Sequence, residues 1–270
     1  MKIAILYSGG LDSFLMYHWA NIHYPDAEVS CIFYAHGQDS EQAEIESLPD
    51  FVEVRTIDWL NDKIKPIAKK SDPFAGAIYI PGRNLIFSAL VASQELADEV
   101  WMGTVWDEDN QQATDKNEKF RSEASDLISY VLSPFIDNVT IKFPFVENKM
   151  TKEDTVRWAL EHNINVDDIT ATVSCWHQEN DKPCGVCKQC LKRMFVFGLN
   201  GFSEDYEINP LDSSDQRELI LKYVRSTNDP TIETNMDEDN MTDMIRRYFM
   251  PKLESKIDLT PWELDLLSEL

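Results

Sequence analysis

Tyr7-Ser8-Gly9-Gly10-Leu11-Asp12-Ser13 is the stretch on which the reading of this chain turns. Ahead of it, Lys2-Ile3-Ala4-Ile5-Leu6-Tyr7 is a short apolar run that predicts a strand buried on both faces. Behind it, Phe14-Leu15-Met16-Tyr17-His18-Trp19-Ala20 contains neither Gly nor Pro and predicts a helix. A strand therefore ends in a turn, rich in glycine and hydroxyls, that opens a helix. Gly9 and Gly10 permit a tight turn whose N–H groups can approach a ligand. Ser8, Ser13 and the amides at the helix start suit phosphate oxygens, and the helix dipole adds positive potential there. No Gly-Lys-Ser/Thr follows, so this is not a Walker A loop. The plain structural alternative is a strand–helix corner in which Asp12 or Ser13 caps the helix.

Ser-Gly-Gly-x-Asp-Ser at the end of a first strand resembles the PP-loop of the ATP pyrophosphatases. In that superfamily the loop holds the pyrophosphate part of ATP while a carbonyl or carboxyl oxygen of the substrate is adenylated.

Outward from the loop the alternation continues. Glu28 to Tyr34 predicts a second strand, with Cys31 as a buried free thiol; Glu41 to Leu48 predicts a polar helix and Phe51 to Ile57 a third strand. Strands separated by helices imply a parallel sheet with helices on both faces, and ligands in such α/β sheets sit beyond the carboxyl ends of the strands. Residues 61–78, with Pro66 and Pro73, read as an irregular connection. Pro81-Gly82 marks a turn into a helix from Leu85 to Leu96; the functional reading puts Arg83 and Asn84 at the mouth of the site as cation and bidentate amide, and the plain alternative leaves Arg83 a surface charge. Glu99 to Thr104 predicts a strand, close-packed at Gly103, and the polar loop Val105 to Lys119 holds Asp107, Glu108, Asp109 and Asp115. A helix from Glu118 to Leu132 and a short strand ending in Phe143-Pro144-Phe145 follow. Thr151 with Asp154 has near capping-box spacing for a helix to Asn163. Lys152 in its first turn opposes the helix dipole, which points to an anion nearby; a solvated lysine is the plain alternative.

With 270 residues the chain can bury a full core, as one domain with an appendage or as two small domains. Its 48 acids against 25 bases give a net charge of -23, which argues against direct gripping of nucleic acid. No apolar run reaches membrane-spanning length, and Met1-Lys2 leads straight into the first strand, so a cytoplasmic location without membrane contact is expected. Five cysteines in such a chain point to metal or catalysis rather than disulfides.

Four of them, Cys175, Cys184, Cys187 and Cys190, follow C-x8-C-x2-C-x2-C. Two C-x2-C steps bring thiolates onto one metal and the more distant thiol closes a tetrahedron. Zinc fits best, in a structural role, with an iron–sulfur cluster as the competitor. His177 lies in the first gap as a bystander, and Lys182, Lys188, Lys192 and Arg193 would offset the thiolate charge.

Taken in order, the loop, Pro81-Gly82-Arg83-Asn84, Lys152-Glu153-Asp154 and Pro183-Cys184-Gly185-Val186-Cys187-Lys188-Gln189-Cys190-x-x-Arg193 resemble the QueC family of 7-cyano-7-deazaguanine synthases over roughly residues 1–200. The resemblance implies an adenine nucleotide α-hydrolase-like domain, residues 1–202, that includes a zinc segment at 175–193, with 203–270 as an acidic helical extension. It implies that Ser8, Gly9, Gly10, Leu11, Asp12, Ser13, Arg83 and Asn84 hold ATP. Asp12, Lys152 and Arg83 would be catalytic, Asp109 and Asp115 would meet the substrate, and Mg2+ would bridge the phosphates. The family activates a 7-deazapurine carboxylate by AMP transfer, uses ammonia, then activates the amide with a second ATP and eliminates AMP to leave a nitrile; its members form homodimers.

Three departures set this chain apart. His36-Gly37-Gln38-Asp39-Ser40 stands where the family has a Tyr-Gly-Gln-Arg-His-like stretch, and Ala113-Thr114-Asp115 where it has Tyr-Pro-Asp. The chain also runs on past the cysteines, with helical stretches Gln216 to Arg225, Met241 to Phe249 and Pro261 to Leu270 around an acidic run, Asp229 to Asp243. That run reads as a solvated linker or as part of a docking appendage for a partner protein. Two alternatives follow: a QueC-like enzyme of antiviral defence that joins a deazaguanine acyl group to a protein amine, and a non-catalytic nucleotide-binding module.

Overall fold

The computed structural model describes residues 1–37, 41–57, 60, 67–68, 78–80, 82–108, 114–175, 177, 182–226, 238–255 and 260–269. The chain divides into two compact units, Met1–Val173 and Ser174–Leu270.

In the first unit β1 (Lys2–Leu6), α1 (Leu11–His23), β2 (Glu28–Ala35), α2 (Glu41–Glu46) and β3 (Val52–Thr56) alternate as expected. Within the next connection two short strands, β4 (Ile67–Ala68) and β5 (Ile78–Tyr79), pair antiparallel. Then come α3 (Arg83–Glu95), β6 (Glu99–Met102), α4 (Glu118–Leu132), β7 (Thr140–Lys142), α5 (Pro144–Glu147), α6 (Lys152–Glu161) and α7 (Val166–Thr170). The main sheet is wholly parallel, in the order β3-β2-β1-β6-β7. β1 is its centre, and Ile3, Ala4 and Ile5 are fully buried, which is why that strand is apolar at successive positions. Val91 and Ala92 of α3 and Ala124, Ile128 and Leu132 of α4 cover one face with Ala4, Ile32, Val100 and Ile141. On α1, Trp19 meets Trp158 of α6 and Phe145 of α5, with ring centroids 4.9 and 5.7 Å away.

The chain steps from β1 to β2 to β3 on one side, then returns to lay β6 on the other flank of β1. The crevice at the carboxyl ends of β1 and β6 is the switch point where such sheets collect ligands, and the loop at residues 8–13 opens into it. One local expectation is corrected. The strand stops at Lys142, and Pro144 begins α5. Pro has no N–H for a sheet ladder, and its preset φ suits the first turn of a helix.

The second unit holds the cysteine segment and, among the described residues, the helices α8 (Lys188–Leu199), α9 (Ser214–Ser226), α10 (Glu238–Ser255) and α11 (Pro261–Glu269). The boundary expected at 202/203 falls inside it. The reason is aromatic: Phe195 of α8 sits edge-on to Tyr248 and Phe249 of α10, with centroids 5.1 and 6.0 Å apart, and Phe249 meets Trp262 of α11 at 5.5 Å. The acidic run ends inside α10, where carboxylates at a helix N-terminus are favoured; its residues 229–237 lie outside the described residues. No described helix is long and apolar enough to cross a membrane.

Candidate functional site

The loop after β1 is held by its own hydroxyls. Ser13 Oγ donates to the Gly10 carbonyl at 2.9 Å and accepts from the Ser8 N–H at 3.2 Å, and the two serine Oγ atoms lie 3.3 Å apart. Gly9 has φ +74°, the left-handed region that favours glycine, and a Cβ there would lie 3.3 Å from Glu44 Cβ. Gly10 is extended and precedes α1, whose N-terminus no side chain caps. The corner-and-cap alternative therefore fails at both residues it named. Ser13 turns back into the loop, and Asp12 pairs with Lys152, Oδ2 to Nζ, at 2.9 Å. Leu11 is buried, so only its backbone can face a ligand. Gly103 closes the base: a Cβ there would lie 3.2 Å from Asp12 Cβ and from the Ser13 nitrogen, the close approach expected at the end of β6.

Lys152 reaches this loop from the first turn of α6. Thr151 and Asp154 form the expected capping box, with Asp154 N–H donating to Thr151 Oγ1 at 3.3 Å and Thr151 N–H to Asp154 Oδ2 at 3.0 Å. Its placement against the dipole is explained by acids: Asp12 on the side chain, and Asp107 Oδ1, which accepts from the Lys152 N–H at 3.3 Å. Asp107, buried, is a site residue that sequence reasoning passed over, since nothing distinguishes it within a loop full of acids. The pair itself is largely enclosed, the lysine and aspartate side chains being 11% and 18% exposed.

On the α3 side, Arg83 begins the helix and Asn84 is buried, its Nδ2 donating to the Asp115 carbonyl at 3.2 Å. Asp115 thus holds Asn84 through its backbone. Asp109, Ala113 and the Gln38-Asp39-Ser40 departure lie outside the described residues. His36, which the sequence offered only as part of that departure, is buried directly after β2. Burial and then the Arg83 guanidinium hold its imidazole below the usual histidine range, against an opposing pull from Glu41. A separate recess of about 350 Å³ opens at Gly9 and is walled by Tyr7, Phe14, His18, Phe51 and Asp168, among others. Among the described residues no lysine or arginine lines it, which does not suit phosphate.

In the second unit Cys175, Cys184, Cys187 and Cys190 are all buried, with their sulfurs within 4.8 Å of one another. The separations are 3.4 Å for Cys187–Cys190, 3.9 Å for Cys184–Cys190 and 4.0 Å for Cys187–Cys175. A tetrahedron with metal–sulfur bonds of about 2.3 Å has sulfurs about 3.8 Å apart, so the four can hold one ion. The N–H groups of His177 and Cys184 both point at Cys175 Sγ, at 3.3 Å, the donation a thiolate ligand requires. The Cys187 thiol, and then burial, push the Cys175 thiol up to about 12. Gly185 sets the knuckle: at φ +76° its Cβ would lie 1.6 Å from the Ile208 carbonyl oxygen. Two of the expected countercharges go elsewhere, Arg193 to Glu204 at 2.8 Å and Lys182 to Asp205 at 3.2 Å. Cys31 is buried in β2 as expected, and burial raises its thiol to about 12.

Known proteins place this arrangement. 7-Cyano-7-deazaguanine synthase of Chlorobium luteolum is 28% identical over 234 residues, 78% of this chain and 98% of the relative. The proteins of that name from Nautilia profundicola and Methanobrevibacter smithii are each 26% identical, over 75% and 77% of this chain and 96% and 98% of their own lengths. The solved U34-tRNA thiolase NcsA from Methanococcus maripaludis with its 4Fe-4S cluster is 15% identical and aligns over 96% of this chain and 73% of that one at a TM-score of 0.39, which bears on neither fold nor metal. The sequence model of queuosine biosynthesis protein QueC matches residues 60–201, more than half of the chain, and spans Arg83, Asn84, Lys152 and all four clustered cysteines. With that match, the chain belongs to the QueC family.

Proposed function

We propose that this chain is an ATP-dependent, AMP-forming carbon–nitrogen ligase that activates a 7-deazaguanine carboxylate and, with ammonia, gives 7-cyano-7-deazaguanine. The observation that carries the reading is the Lys152–Asp12 pair, 2.9 Å apart at the glycine–serine loop beyond the carboxyl end of β1. The names of the similar synthases support the substrate.

A carboxylate is a poor electrophile. ATP would supply an adenylyl group, with Mg2+ offsetting phosphate charge: the carboxylate oxygen attacks the α-phosphorus and pyrophosphate leaves. Ammonia then attacks the acyl carbon and AMP leaves, giving the amide. A second activation at the amide oxygen, followed by loss of AMP, gives the nitrile. The protein's part is orientation and charge stabilisation rather than a nucleophile. The loop amides and the Ser8 and Ser13 hydroxyls hold phosphate oxygens. Lys152 and Arg83 offset the charge that builds as pyrophosphate departs, and Asp12 keeps the Lys152 ammonium at the loop. Asn84 is held by Asp115 to present its amide, and Asp109 and Asp115 supply acids for a guanine-like edge.

We assign zinc to the cysteine cluster, in a structural role, because the sulfur spacing suits one tetrahedral ion. Homodimerisation is supported by a stripe on α4 and just past it, Leu127, Tyr130, Val131 and Phe135, exposed by 54, 80, 61 and 72%. Exposed apolar patches of this kind mark interaction surfaces.

The deciding experiment supplies 7-carboxy-7-deazaguanine, ATP, Mg2+ and ammonium, with AMP counted and the product weighed by mass spectrometry. Nitrile with two AMP per product supports the synthase. One AMP and an acylated protein amine would move the chain to the defence-type reaction. No turnover, with ATP still bound, would leave a binding module.

A further inference from the structure

His36 is a buried polar group whose side chain is 4% exposed, and among the described residues neither ring nitrogen has a partner within hydrogen-bonding distance. The nearest acid, Glu41, has one carboxylate oxygen taken up by the backbone N–H groups of His36 and Gly37, and that oxygen stands 3.6 Å from Nδ1. The end of β2 offers a contrast. Tyr34, two residues earlier and on the same face, meets the same Phe87 ring, yet its hydroxyl is satisfied by Gln94 Oε1 at 2.7 Å. Buried side-chain polar atoms in folded proteins are overwhelmingly paired, and a group left over is explained by what binds there.

The surroundings state what that is. Phe87 lies edge-on to the imidazole, with centroids 5.5 Å apart, and Arg83 stands one turn earlier on the same face of α3. His36 directly follows β2, the strand beside β1, so it stands at the same sheet edge as the loop at residues 8–13. A neutral imidazole offers one donor and one acceptor. An anion would want donors at both nitrogens, whereas the edge of a purine-like base presents donor and acceptor together.

We propose that His36 is a specificity-determining residue that hydrogen-bonds the edge of a purine-like base held beside Arg83. It rests on the ligase reading, which brings two such bases to the site: the adenine of ATP and the deazaguanine of the carboxylate substrate.

The test is calorimetric binding of Mg-ATP and, separately, 7-carboxy-7-deazaguanine to the intact chain and to His36→Phe, with thermal melting as control. Loss of one neutral hydrogen bond predicts Kd raised about tenfold for one of the two probes, which identifies the base. The melting temperature should hold or rise, since the variant removes a buried unmet polar group. The wild-type protein gives a second readout that no folding defect can spoil. With only five histidines in the chain, the His36 ring nitrogens can be followed by 15N NMR, and they should shift on saturation with that same probe. Unchanged Kd values, or ring nitrogens that do not move with either probe, overturn the assignment while leaving the ligase reading intact. A wild-type chain that binds neither probe overturns the ligase reading, and this assignment with it.

Discussion

Replacing Lys152 with methionine removes one charge and keeps most of the side chain's length. At 2.9 Å, the attraction to Asp12 is about 1.4 kcal/mol at the dielectric of water and about 6 kcal/mol at an effective dielectric of about 20. The pair is neither surface nor core, at 11% and 18% exposure, and the cost of desolvating both ions offsets much of the larger figure. A net destabilisation of about 2 kcal/mol follows, between the ~0–1 kcal/mol of exposed pairs and the ~3–5 kcal/mol of broken buried ones. For a unit of this size that is a fall in Tm of about 4–8 °C. The catalytic loss is larger: removing a charge-stabilising group from a preorganised site costs about 100- to 1000-fold in rate. Asp12→Asn should lose comparable stability, and the double variant should recover about 2 kcal/mol of coupling without recovering AMP formation. Melting curves and AMP release by the four proteins decide the matter. Lys152→Met melting with wild type and forming AMP within about threefold of its rate would refute both the pair's energetic role and its placement at the reacting phosphates.

For the metal, elemental analysis should find one zinc per chain, and Cys187→Ser should lower metal content and melting temperature together; a metal-free folded protein, or visible iron–sulfur absorption, would count against the assignment. Gly185→Ala should destabilise the second unit by more than about 3 kcal/mol, read by melting and zinc retention, because its Cβ would stand 1.6 Å from a backbone carbonyl that cannot swing aside as a side chain could. Tyr130→Glu, at an 80% exposed position, should turn a dimer into a folded monomer in light scattering; dimers that persist unchanged would move the interface off α4.

Legibility followed the range of the interactions. The α/β alternation, the helix at Glu118–Leu132 and the capping box at Thr151 were readable because each depends on residues within a few positions of one another. The cysteine cluster was readable because three of its members sit at C-x2-C steps, a spacing set by local backbone geometry. Asp107 and His36 were not: one is an acid among acids and the other a histidine after a strand, and what distinguishes them is burial. The packing of the last helices on α8 was not readable for a similar reason, since Phe195 finds Tyr248 and Phe249 across more than fifty residues of chain.

By itself, then, the sequence determined the fold class, the glycine–serine turn after the first strand and the thiol set, all matters of periodicity, backbone freedom and short spacing. Only the tertiary structure decided that Lys152 meets Asp12 rather than solvent, that Arg193 pairs with Glu204, and that the His36 ring nitrogens are buried with no hydrogen-bond partner among the described residues. Those outcomes depend on which surfaces the sheet order brings to one edge and which contacts exclude water, and no local stretch of chain encodes either.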